Sequence, residues 1–146
     1  MKMKFKRCFA FILIIMMFLN IGVLAAYNPP DSPDASAYIA SYSAKVINGG
    51  SGVLKVSFDV TGTATMSRIG ASSIDIYRSN GTYVTTLIWT DSGRSGMMAS
   101  NTFYNGDTES VYVGAGSYYA VMCFYAKNYS GGIGTKTYQT GTKTIT

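Results

Sequence analysis

Residues 114–127 read GAGSYYAVMCFYAK, the longest run of strand-forming residues in the chain. Side chains alternate between faces along a strand, so the run divides into two sets. One is Tyr119, Val121, Cys123 and Tyr125; the other is Tyr118, Ala120, Met122, Phe124 and Ala126. Both are apolar. A strand with one wet face does not read this way, so this run predicts a central strand.

Outward from it, the same alternation recurs. Residues 135–145 make a Thr-rich last strand broken at Gly141, after the Gly-rich turn at 128–134. Residues 108–113 make a short strand before the Gly114 turn. Further upstream, Leu54, Val56, Phe58 and Val60 share one face, opposite Val53, Lys55, Ser57 and Asp59. That half-buried strand pairs by a hairpin with residues 38–46, across the turn residues 48–52. Residues 61–69 make a weaker crossing segment around Met66 and Ile69, and Gly70, Ala71 and Ser72 then break the pattern. Ile74 and Ile76 share a face before the Ser79-Asn80-Gly81 hairpin turn, and residues 83–90 return. Which face of that returning strand is buried stays open; its Trp89, the single tryptophan, is read as core.

About seven strands with turns every eight to twelve residues, and no helix after residue 26, predict an all-β domain. The expected fold is a single immunoglobulin-like or fibronectin-like β-sandwich over residues 37–146. The Gly turn followed by Tyr-Tyr-Ala-Val-Met-Cys resembles the sixth strand of such sandwiches. On that likeness Tyr119 is the tyrosine-corner residue, with Val121 and Cys123 in the core. The second cysteine of a disulfide-bonded immunoglobulin domain is missing. A further likeness is carried by RIGASSIDIY at 68–77, SGMM at 95–98, YYAV at 118–121 and FYA at 124–126. Through these motifs the chain resembles a family of short secreted Gram-positive bacterial proteins of unknown function. The resemblance implies a bacterial, exported protein and brings no site residues with it.

Residues 1–26 have a positive start (MKMKFKR), an apolar run (CFAFILIIMMFL) and a small-residue end (NIGVLAA), the pattern of a secretory signal peptide. Cleavage is expected after Ala25 or Ala26. An uncleaved anchor would have to span the bilayer with Asn20 and Gly22 inside it. A Pro-rich lead, residues 27–36, follows. The expected location is outside the cell or at its wall, with no stable membrane insertion after cleavage. The formal charge of +5 comes from 12 basic and 7 acidic residues. Lys2, Lys4, Lys6 and Arg7 lie in the leader, leaving 12 − 4 = 8 basic residues against 7 acidic. No basic patch remains, so nucleic acid is not an expected partner. Of two cysteines only Cys123 follows the leader, which rules out an intramolecular disulfide. Cys123 is read as a small buried hydrophobe, against the alternative of a reactive thiol.

The chain has no histidine, which removes Ser-His-Asp and Cys-His catalysis and the commonest metal ligand. No dinucleotide, P-loop or metalloprotease motif is present. No cofactor, no metal site and no catalytic residues are therefore expected. A carboxylate hydrolase built on Asp91, Asp107 or Glu109 is kept as an alternative. The cluster Asn105-Gly106-Asp107-Thr108-Glu109 reads as an ordinary turn rather than a calcium loop. The 17 residues 91–107 lack periodicity; a loop of that length is unusual in a compact domain, so the segment is read as either functional or partly structured. With Tyr119 facing inward, Tyr118, Met122 and Phe124 face outward, where Met97, Met98 and Tyr104 of the loop either cover them or share a binding surface. The expectation is a non-catalytic extracellular module binding a glycan, a wall polymer or a protein through these six residues. The alternative is a structural protein that associates with itself.

Overall fold

The structure is a computed structural model that describes residues 37–146; the leader and the Pro-rich lead lie outside the described residues. Seven strands form: β1 (Ile39–Asn48), β2 (Val53–Arg78), β3 (Tyr83–Ile88), β4 (Met98–Tyr112), β5 (Gly116–Lys127), β6 (Ile133–Gln139) and β7 (Lys143–Ile145). Every pairing is antiparallel. The described chain is all-β, with one 3-10 turn at Ser95–Met97.

The 26-residue β2 organises the rest. Its residues 54–62 pair with β1, and its residues 68–78 pair with β5. Along its other edge it meets β4 from Val53 to Gly70, then β3 from Ser73 to Tyr77. β6 and β7 run end to end along the far side of β5. The single sheet curls into two sandwich-like layers, β1-β2-β4 and β3-β2-β5-β6, joined by β2. The three segments that the sequence suggests between residues 53 and 77 are therefore one strand.

Two irregularities make that possible. Between the pairs Thr61–Tyr104 and Met66–Thr102, β2 advances five residues while β4 advances two. This is the corner between layers, and buried Gly62 sits in it: a Cβ there would lie 2.9 Å from the Ala64 carbonyl. Between Ala71–Phe124 and Ser73–Cys123, β2 carries one extra residue, Ser72. One extra residue in a period of two exchanges the faces. Ile69 and Ala71 point into the core before this bulge, and Ile74 and Ile76 after it.

The core is filled from both layers. Phe58 of β2 and Phe124 of β5 meet with ring centroids 6.1 Å apart. Tyr42 of β1 reaches Phe124 at 5.2 Å and Tyr138 of β6 at 6.0 Å. Leu54, Val56, Val60, Met66, Met97 and Ile145 are among the other buried side chains.

β5 is the central strand of its layer, but its faces are the reverse of the sequence reading. Tyr118, Ala120, Met122, Phe124 and Ala126 are buried, while Tyr119, Val121, Cys123 and Tyr125 are half-buried on the outside. Val121 and Cys123 are thus not core residues, and Cys123 is a free thiol. The hydroxyl that bonds back to the chain upstream is that of Tyr118, not Tyr119. It donates to the Val113 carbonyl at 2.8 Å, five residues back across the Gly114 turn. With both sets apolar, periodicity alone could not orient the strand; this hydrogen bond and the packing of Phe124 do. Tyr118→Phe, which strands the Val113 carbonyl, is expected to cost about 1 kcal/mol. Tyr119→Phe is expected to stay within about 0.5 kcal/mol. Urea denaturation midpoints of the two variants check the assignment.

Of the two readings of residues 91–107, the structure shows the partly structured one. Only residues 89–97 connect β3 to β4; from Met98 the chain is strand, paired with β2. Periodicity is hidden because the inward phase of β4 is polar: Asn105, Asp107 and Glu109 stand opposite Val60, Phe58 and Val56. These polar groups hold the connection down. The Asn105 amide donates to the Gly96 and Met97 carbonyls, each at 3.1 Å, and Arg94 is ion-paired with Glu109. Met97 is fully buried beneath.

Candidate binding face

The outer face of β3, the second half of β2, and β5 is rich in aromatic side chains. Cross-strand register stacks its residues in rows: Tyr83, Tyr77 and Tyr119; then Thr86, Asp75 and Val121; then Ile88, Ser73 and Cys123; then Met98, Gly70 and Tyr125. From the Tyr119 row to the Tyr125 row is about 20 Å, at the usual strand rise.

At one end Tyr77 stacks on Tyr119, with ring centroids 5.4 Å apart and planes within 12°, and meets the edge of Tyr83 at 5.8 Å. Burial, and then the Asp75 carboxylate, pushes the Tyr77 hydroxyl above its ordinary value. Asp75 itself accepts from the Thr86 hydroxyl at 2.5 Å, and that hydroxyl also meets the Tyr83 hydroxyl at 3.0 Å. These groups satisfy one another and fix the tyrosine rings.

At the other end Arg68, Ser72, Trp89, Met98 and Tyr125 line a cavity of about 200 Å³. The bulge builds it. The Ser72 hydroxyl donates to the Cys123 carbonyl at 3.0 Å, while the Ser72 carbonyl accepts the Trp89 N–H at 3.4 Å. Asp91 closes the turn after β3 by accepting the Ile88 N–H at 3.0 Å. Trp89 is thereby held half-buried, one edge on the core and the rest in the cavity wall. The Arg68 guanidinium lies 5.2 Å from the Trp89 ring centroid, a cation–π contact. Its register partner across β5 is Lys127.

The six residues expected to form a binding surface are not brought together. Tyr118, Met122, Phe124 and Met97 are in the core. Met98 lines the cavity. Tyr104 is exposed on the other layer, beside Thr61. The outward stripe expected on β5 exists on the opposite phase, as Tyr119, Val121, Cys123 and Tyr125. Trp89, a core residue on the sequence pattern, is only partly buried against the core. Nothing in the periodicity separates it from a core residue, because its position depends on the bulge carbonyl of Ser72.

The candidate acids have structural partners. Asp91 caps the turn after β3, Asp107 accepts the Thr108 N–H at 2.7 Å, and Glu109 holds Arg94. Among the described residues no three Cys, Asp or Glu side chains gather as metal ligands. Burial pushes the Glu109 carboxyl above its ordinary value of 4.5, and the Arg94 hydrogen bond and charge offset this only in part. A carboxyl that holds its proton more tightly folded than unfolded lends stability at low pH. That stability is lost as pH rises from the ordinary carboxylate value through the raised folded one. Glu109→Gln is therefore expected to flatten the fall in stability above pH 4.5, read as the difference from wild type in denaturation at a series of pH values.

No family model and no curated protein matches this chain. Among solved structures, a Bordetella pertussis protein described as ApaA is similar at 9% identity and a TM-score of 0.39, covering 75% of this chain and 94% of that one. A likeness of that size says nothing of what this chain does. The aromatic face rests on the chain's own residues.

Proposed function

We propose that the protein is a secreted, non-catalytic β-sandwich module that binds a glycan or cell-wall polymer through the outer face of β3, β2 and β5. The observation that carries this reading is the cavity walled by Trp89 and Tyr125, in line with the Tyr77–Tyr119 stack on the same face. Half-exposed aromatic rings held by rigid strands offer apolar faces to the C–H faces of sugars, with little side-chain entropy to lose. The row of rings matches an extended polymer better than a compact ligand. The leader pattern of residues 1–26 supports export. The two layers, β1-β2-β4 and β3-β2-β5-β6, with a tyrosine-corner bond entering β5, support an immunoglobulin-like or fibronectin-like assignment. The partners already held by Asp91, Asp107 and Glu109 support a non-catalytic role.

Cosedimentation of the purified protein with peptidoglycan sacculi, chitin and cellulose tests the reading. Binding to at least one polymer is expected, with Trp89→Ala weakening it about tenfold or more. Tyr104→Ala, on the other layer, is expected to leave it unchanged. Binding that survives Trp89→Ala and Tyr125→Ala together removes this face, and no binding to any polymer removes the function. Self-association is the second reading. It is favoured by Phe103 (58% exposed) and Tyr112 (75%) along β4, and a strict monomer in concentrated sedimentation runs would exclude it.

A further inference from the structure

The cavity beside Trp89 carries a charge that the fold does not use. Among the described residues the only ion pair is Arg94–Glu109, in the connection before β4. Among the described residues Arg68 makes no ion pair and no side-chain hydrogen bond, and its guanidinium lies over the Trp89 ring. Its neighbour across the sheet, Lys127, adds a second positive charge with no ion pair among the described residues. None of the residues lining the cavity is acidic. The remaining lining groups are Trp89 and Tyr125 rings, the Met98 side chain and the Ser72 hydroxyl. The Arg68 guanidinium sits over the indole ring, and among the described residues none of its N–H donors has a side-chain hydrogen-bond partner. That arrangement is ready to grip a two-oxygen anion side by side.

Resting on the glycan-binding reading above, we propose that this cavity is a subsite for an anion-bearing sugar unit. Trp89 and Tyr125 take the sugar ring, and Arg68 takes the carboxylate or phosphate on it, with Lys127 adding attraction. The position of the anion follows from the geometry. The Arg68 guanidinium lies over the Trp89 ring, 5.2 Å from its centroid, so a sugar in the cavity packs on Tyr125 and the uncovered part of the indole with its anion within reach of Arg68. The tyrosine end of the face presents Asp75 rather than a free cation, and the structure assigns the neutral remainder of the polymer to it. The molecule thus sets the direction of the bound chain as well as its charge.

Isothermal titration with three probes tests this: an oligogalacturonide, the same oligosaccharide fully methyl-esterified, and a poly(glycerol phosphate). The acid is expected to bind at least about tenfold more tightly than its neutral ester, and the advantage should shrink as salt is raised. Binding of the phosphate polymer in preference to the uronide identifies phosphate as the anion. Arg68→Gln is expected to abolish the advantage of the charged probe over its ester. Arg68→Lys, keeping charge without the fork, should fall between. Trp89→Ala should weaken every probe alike. Thermal melts of each variant confirm folding, since Arg68 is exposed and its replacement removes no buried group. Equal affinity for acid and ester, or an unchanged charge preference in Arg68→Gln, overturns the proposal. Failure of every anionic probe does so as well. If Trp89-dependent binding to a neutral polymer persists in either case, the glycan-binding reading stands; if no polymer binds, both fall.

Discussion

Gly70→Ala is expected to destabilise the domain by about 4 kcal/mol or more, enough to unfold much of the population at ordinary temperature. Gly70 lies on β2 where the strand meets Met98 of β4 on one edge and Tyr125 of β5 on the other. A Cβ there would collide with the Met97 carbonyl and sit 2.8 Å from the Met98 Cα and 2.9 Å from the Asn105 amide nitrogen. Two of these neighbours are backbone, and the third already holds Gly96 and Met97. None can give way without lifting β4 off β2 and uncovering Met97. The requirement at Gly70 is therefore space. Gly81 makes the control: its φ is +85° in the β2–β3 turn and nothing lies within 4 Å. Gly81→Ala is expected to cost only about 1 kcal/mol, from the backbone conformation alone. Chemical denaturation of both variants gives the comparison. A Gly70→Ala protein as stable as Gly81→Ala would show that β4 is free to move.

Phe124→Ala is the second large effect, about 3–5 kcal/mol lost. The ring is fully buried between Tyr42 and Phe58, at the centre of contact between the layers. Truncation leaves a void walled by rings anchored on two different strands, Tyr42 on β1 and Phe58 on β2. Such walls cannot collapse together, because each strand is fixed by its own ladder. The adjacent Cys123→Ala, on the outer phase, is expected to change stability by no more than about 1 kcal/mol. The pair of variants reads the orientation of β5 directly. Equal losses at the two positions would mean that the strand is not seated as described. Urea unfolding at constant slope is the measurement, so that a change in midpoint reports stability alone.

Part of this molecule was legible without coordinates. The alternation at 53–60 and the Asn80-Gly81 turn specify local structure, and both are present as read. The face of β5 was not legible, since Tyr118 and Tyr119 head two equally apolar sets. β4 was not legible either. Its inward phase is Asn105, Asp107 and Glu109, and polar side chains facing a core look like a loop until the segment they hold, Arg94 to Met97, is in place. The candidate face shared this fate. Trp89, Arg68, Ser72, Met98 and Tyr125 come from four separate stretches and meet only across strand register.

By itself the sequence determined the all-β class, the approximate strand number and the hairpins. It also determined the lack of histidine-based chemistry. These follow from composition and from alternation over a few residues, which depend only on near neighbours. The tertiary structure alone decided which side of β5 is inside and that residues 98–107 belong to a strand. A strand's two faces differ only by what packs on them, and a single extra residue at Ser72 exchanges them. That residue turns Ile74 and Ile76 inward, and its carbonyl holds Trp89 beside Tyr125 and Arg68. The surface proposed for binding is set by one bulge in a long strand.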